Sequence, residues 1–161
     1  MLNSVQAQKV AETAQNLFQQ GNIVYKKGGT TPPGMDSGGF IHYCLKQFGI
    51  KVTKQGTNSL YREIGAEAIT IKEAIKQGKL VPGAILFYVV YDGEEPEHLR
   101  NDGRGNADYA GICINSHQYV YPSFKKGKLI IEEIKSVSGQ VNMVVFHKGI
   151  DYGFTPVNQT S

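Results

Sequence analysis

The sequence has no tryptophan, and its 161 residues include only two cysteines, three methionines and six prolines. The two thiols, Cys44 and Cys113, could close one bridge at most, which excludes a disulfide framework. The opening stretch MLNSVQAQKV lacks a basic start followed by an apolar run. No secretory signal is therefore expected, and both thiols read as free and buried. Long apolar runs are missing too. The longest, Ala84 to Tyr91, falls far short of the ~20 residues that cross a bilayer, so no membrane partner is expected. Charge of one sign is scarce. Lys and Arg total 17 against 14 Asp and Glu, and the net charge of +3 is too weak and dispersed to signal nucleic acid. What is present is 40% apolar and 19% charged residues, enough for one buried core and too patterned for disorder.

Helical spacing of Leu2, Val5, Val10, Ala14, Leu17 and Phe18 predicts a first helix, with Asn3 or Ser4 as cap and Gly21 as stop. A short extended piece, Asn22 to Tyr25, follows. Lys26 to Met35 carries three glycines and two prolines and reads as a surface loop, neither helix nor strand. Asp36 or Ser37 starts a second helix with the stripe Phe40, Ile41, Cys44, Leu45 and Phe48, ended by Gly49. Thr57 to Ile64 is a third, short helix. A fourth is bounded by the capping box Thr70/Glu73 and by Gly78. Beyond Pro82-Gly83 the pattern turns to strands: Ala84–Tyr91, Tyr109–Asn115, Gln118–Tyr121, Lys128–Lys135 and Val141–His147. A polar loop, Asp92 to Asp108, separates the first two of these. Helices followed by an antiparallel meander of about five strands predict an α+β fold. Residues 1–150 form one expected domain, and 151–161 a tail that docks only if Phe154 finds a pocket.

A helix whose N-terminus faces a sheet offers a nucleophile the positive end of a dipole, and a histidine on a facing strand could then serve as base. The residues that bear on this are Tyr25-Lys26-Lys27-Gly28-Gly29, then Gly34-Met35-Asp36-Ser37-Gly38-Gly39-Phe40-Ile41, then Leu80-Val81-Pro82-Gly83-Ala84-Ile85-Leu86-Phe87, and finally Tyr109-Ala110-Gly111-Ile112-Cys113-Ile114. In that order they resemble the NlpC-type cell-wall peptidases of the papain-like superfamily. The resemblance covers roughly residues 5 to 148. It implies a papain-like fold with N-terminal helices packed on the sheet. The long polar loop before Tyr109 resembles the version in phage-associated members from Gram-positive hosts.

The departures carry as much information. The family's nucleophilic Cys falls on Ser37, its base His on Tyr109 and its third polar residue on Tyr121, while Asp36, Gly39, Tyr25 and Gly111 match the pattern. Gly38 replaces a usual Ser. A hydroxyl at position 37 needs a base within hydrogen-bond reach, and a phenol of pKa about 10 is a poor one at neutral pH. Cys44 lies further along the same helix face and reads as inert filler, as does Cys113. His42 is rotated off the Ser37 face, and His98, His117 and His147 sit in a loop, a turn and the last strand. Asp102, Asn106 and Asp108 loosely suggest a calcium run, but Arg104 interrupts it, so neither metal nor cofactor is expected. Lys125-Lys126-Gly127-Lys128 reads as a soluble hairpin tip, with anionic wall polymers as its other possible role. Tyr25, Tyr109 and Tyr121 either stack on a ligand or fill the space of a lost triad. The expectation is a catalytically degenerate family member that binds a peptidoglycan fragment or cell-wall polymer, phage or prophage encoded. It would reside in the bacterial cytoplasm until lysis or on a virion. The alternatives are an active hydrolase with a rearranged site and a phage tail or assembly protein that docks a host or virion partner.

Overall fold

A computed structural model describes residues 5–53, 56–90 and 105–154. The expected caps Asn3 and Ser4, His98, Asp102, Arg104 and most of the polar loop lie outside these residues. Helix α1 (Val5–Gln20) buries Ala7, Val10, Ala14 and Leu17 on one face, as the spacing requires. Helix α2 (Ser37–Lys46) starts at the cap Asp36, α3 spans Thr57–Ile64, and α4 (Ile71–Gln77) runs from the Thr70 cap to a left-handed Gly78. Thr70 accepts a hydrogen bond from the Glu73 amide at 3.0 Å, which is one half of the anticipated capping box.

The sheet corrects the expected strand count. Among the described residues it has nine strands rather than about five: β1 (Val24–Tyr25), β2 (Thr30–Thr31), β3 (Gly34–Met35), β4 (Ile69–Thr70), β5 (Ile85–Val90), β6 (Asn106–Cys113), β7 (Gln118–Ser123), β8 (Lys128–Glu133) and β9 (Met143–Val145). Their order is β2-β3-β1-β8-β7-β6-β5-β9-β4. The five anticipated strands are β5 to β9. The additional four are two residues long, too short to carry any alternation in sequence. They exist because the edges of the meander accept them. β1 pairs antiparallel with β8 and parallel with β3, so the sheet is mixed. The stretch 26–35 is consequently not a plain surface loop: it contains β2 and β3, and Met35 is fully buried.

Residues alternate between the two faces of the sheet, and two separate cores result. Ile85, Phe87, Ala110, Ile112, Val120 and Val145 pack with α1, α2 and α3. Leu86, Cys113, Tyr119 and Val144 pack on the other side with Ile71 and Ala74 of α4 and with Val141. Strand β6 starts at Asn106, before the expected Tyr109, and a register shift at Tyr88/Val89 absorbs the extra residue. Strand β9 is shorter than expected at its start. There the Asn142 side chain replaces a strand partner, accepting from the Val89 amide at 2.9 Å and donating to its carbonyl at 2.8 Å. Tyr152 donates to the Gly83 carbonyl at 2.8 Å, and the Phe154 ring packs on Phe146 and Tyr152. Among the described residues no helix is long and apolar enough to cross a membrane.

Candidate functional site

The start of α2 is built by one carboxylate. Asp36 accepts from the Gly39 amide at 2.9 Å through one oxygen and from the Gly28 amide at 2.8 Å through the other. The first contact caps the helix, and the second ties the glycine-rich turn to it. Gly39 permits this approach: a Cβ there would lie 1.8 Å from the Gly29 carbonyl oxygen. Gly38 is buried beside it. Ser37 opens the helix and is only 4% exposed. Its hydroxyl shares a 2.9 Å hydrogen bond with the hydroxyl of Thr57, at the start of α3. Next to Thr57, the Asn58 carbonyl oxygen accepts from the Ala107 amide at 3.0 Å and from the Arg62 guanidinium. The Asn58 amide nitrogen is buried with no hydrogen-bond partner.

Tyr109 and Tyr121 come together, but not with Ser37. Their rings stack at 4.8 Å between centroids. Tyr121 stacks in turn on Tyr119 at 5.2 Å, and Tyr109 leans on Tyr88 at 5.4 Å. Neighbouring Ala110, Ile112 and Val120 share the core with α2. Tyr109, Tyr119 and Tyr121 alternate with them and project from the other face of the sheet, against the α4 core. The Tyr119 hydroxyl donates to Glu132 at 2.7 Å and shares a 3.4 Å contact with the Tyr109 hydroxyl. Gly111 makes room for the ladder, because a Cβ there would come within 2.9 Å of both the Tyr119 ring and the Tyr121 Cβ. A groove of about 490 Å³ opens beside the rings, lined by Tyr109, Tyr121, Glu132, Lys135 and Gln140.

Burial, reinforced by the Glu132 charge, holds the Tyr119 and Tyr121 phenols far above their ordinary range. Burial also raises Tyr109. These shifts favour the neutral phenol in all three. Tyr25 stands apart from the ladder, edge-on to Phe124 at 5.4 Å, its phenol raised by burial and by the Asp36 charge. Burial favours the neutral form of both thiols too. Cys44 lies in the helix-side core and burial pushes it far up, whereas Cys113 lies in the opposite core and burial pushes it up to about 12. The sheet separates the two, and both are free. His147 lies just past β9, its pKa lowered by burial, with its ring nitrogen accepting from the Gly149 amide at 2.8 Å. Asn106 and Asp108 fall on β6 and bond to each other at 3.2 Å. No three His, Cys, Asp or Glu side chains gather as a metal site among the described residues.

Thr57, Asn58, Tyr88, Tyr119 and Glu132 escaped the sequence reading. The alternation Tyr119-Val120-Tyr121 does place both tyrosines on one face. The hydroxyl partner of Ser37 had no comparable signal, because it depends on how α3 docks against α2.

A sequence model of the NlpC/P60 family matches residues 21–147. NlpC2 from Trichomonas vaginalis is similar in structure, with a TM-score of 0.62 at 11% identity, covering 86% of this chain and 45% of that one. NlpC1 from the same organism aligns with a TM-score of 0.58 at 14% identity, covering 83% and 42%. An NlpC/P60 family protein from Bacillus cereus ATCC 10987 aligns with a TM-score of 0.58 at 18% identity, covering 83% and 40%. The chain thus spans less than half the length of these structures, which share its fold. None of the curated proteins matches it in sequence. The chain belongs to the NlpC/P60 family.

Proposed function

We propose that this member of the NlpC/P60 family is a catalytically inactive module that binds cell-wall material, a peptidoglycan fragment or polymer. The observation that carries the reading is the partner of Ser37. At the head of α2, where a nucleophile would profit from the helix dipole, stands a buried hydroxyl hydrogen-bonded to another hydroxyl, that of Thr57. A serine nucleophile needs a base to take its proton, and an alcohol of similar acidity is none. Tyr109 and Tyr121, at the two remaining triad positions, pack on each other instead.

Loss of turnover leaves the means of binding intact. The groove beside Tyr109 and Tyr121 presents ring edges, the Glu132 carboxylate and the Gln140 amide, a mixture that suits a short peptide or a sugar. The polar stretch 92–108, similar to that of phage-associated family members, supports a phage or prophage origin, with residence in the cytoplasm until lysis or on the virion.

The test is incubation with purified Gram-positive sacculi and with short stem peptides. The protein is expected to sediment with the sacculi and to release no new amino termini. Release that disappears on Ser37→Ala would overturn the reading. Failure to sediment with sacculi at all would remove its binding half.

A further inference from the structure

The charges look dispersed along the sequence, but pairing of β1 with β8 gathers them. Val24 lies opposite Lys128, and the Tyr25 amide donates to the Gly127 carbonyl at 2.9 Å. This brings Lys26-Lys27 beside Lys125-Lys126 and Lys128. All five lysines are exposed, and neither 24–28 nor 124–128 contains an acidic residue. The patch therefore concentrates more positive charge than the net +3 of the whole chain. The nearby Asp36 carboxylate, whose charge reaches Tyr25, offsets at most one of the five lysine charges. At the centre sit apolar surfaces: Phe124 is 81% exposed and Val24 46% exposed, with Tyr25 set edge-on to Phe124.

The patch is also concave. Lys126 and Lys128 border a groove of about 510 Å³ that runs along Phe18 and Ile23, with Glu132 on its wall. Lys26 and Lys27 border a second groove of about 400 Å³ along the turn of residues 28–34. No lining residue is common to the two grooves; Lys126 and Lys128 border one and Lys26 and Lys27 the other, so the lysine cluster reaches both.

We propose that this surface binds a linear phosphodiester polymer whose links are uncharged polyols or sugars. Lysine ammonium groups act as point charges for phosphates, without the planar fork that arginine offers to bases. Grooves bordered by lysines of one cluster suit a chain that can bend into them, which a bilayer surface cannot do. The Phe124 and Tyr25 rings cover the C–H faces of the links. The patch contains no arginine, and its aromatics form a single edge-on pair rather than a platform for successive bases, which disfavours nucleic acid. The choice among polymers rests on the cell-wall reading above, whereas the charge pattern does not.

A synthetic poly(glycerol phosphate) oligomer, single-stranded DNA with the same number of phosphates, and vesicles containing an anionic phospholipid serve as probes. The oligomer is expected to bind most tightly. Five neutralised phosphates at about 0.7 each give a fall of log affinity with log salt of roughly 3.5. Lys26→Gln, Lys27→Gln, Lys125→Gln, Lys126→Gln and Lys128→Gln together should lower the affinity by about tenfold or more and flatten that slope. Phe124→Ala alone should weaken binding severalfold and leave the slope unchanged. All six side chains are exposed, and an unchanged melting temperature shows that the variants fold. No binding of the oligomer, equal binding by the five-lysine variant, or tighter binding of DNA or vesicles overturns the proposal. Peptidase activity on sacculi would sink the inactive reading and leave these binding results untouched, so the two failures are distinguishable.

Discussion

At Asp36 one side chain serves two segments, and its removal has a calculable cost. The Gly39 contact is an N-cap, and loss of such a cap costs about 1 kcal/mol. The Gly28 contact holds the turn that β3 and the start of α2 close upon. Asp36→Ala should therefore lower stability by about 1–2 kcal/mol, seen as a drop in melting temperature. Asp36→Asn keeps one acceptor oxygen and should recover part of the loss. An unchanged melting temperature for the alanine variant would mean that neither hydrogen bond contributes. The aspartate beside Ser37 thus has a structural cause. The same holds for Gly39 and Gly111, where backbone and tyrosine rings occupy the volume a Cβ would need.

On β7, the tyrosine ladder makes the fold sensitive to base. Tyr119 and Tyr121 have folded pKa values above those of free tyrosine, burial being the main cause, followed for Tyr119 by its hydrogen bond to Tyr109 and for Tyr121 by the Glu132 charge. Their neutral forms are favoured in the fold. Above pH ~10 the unfolded chain releases protons that the folded chain retains, so stability is fully present below that pH and declines as pH rises. Denaturant midpoints should fall between about pH 10 and 12, and Tyr121→Phe should reduce the slope. A flat profile across that interval would show that the phenols are not buried as described. This element also shows what the sequence could and could not reveal. Strands β5 to β8 and helix α1 were legible because each repeats its period, and α2 and α4 because each carries a capping side chain; α3, without a side-chain cap, and the three-residue β9 were expected on weaker local patterns. The α2 start at Asp36 and Ser37 was legible for the second reason. The ladder itself was only half visible: Tyr109 and Tyr121 were placed near one site, but the participation of Tyr88 depends on cross-strand register and that of Glu132 on the β7–β8 pairing. Strands β2 to β4 were invisible because two residues contain no period, whereas β1 falls within the extended piece expected over Asn22 to Tyr25.

At the level of the whole molecule, the sheet divides the candidate site. Ser37 and Thr57 lie with α2 and α3 on one face, whereas Tyr109, Tyr119 and Tyr121 pack into the core on the other. Restoring the family residues one by one should therefore not restore a working pair. A thiol introduced by Ser37→Cys would feel the α2 dipole, which favours thiolate, and its burial, which opposes it. An imidazole introduced by Tyr109→His would project into the opposite core, with the sheet between the two groups. The alkylation rate of the new thiol, followed against pH with the unsubstituted protein subtracting Cys44 and Cys113, should give the same midpoint in Ser37→Cys and in the double variant. A helix-facing imidazolium would lower the thiol pKa, by about one unit or more. A shift of that size on adding Tyr109→His would mean that residues 37 and 109 face each other, and the division of the molecule into a hydroxyl pair on one face and a tyrosine ladder on the other would be wrong.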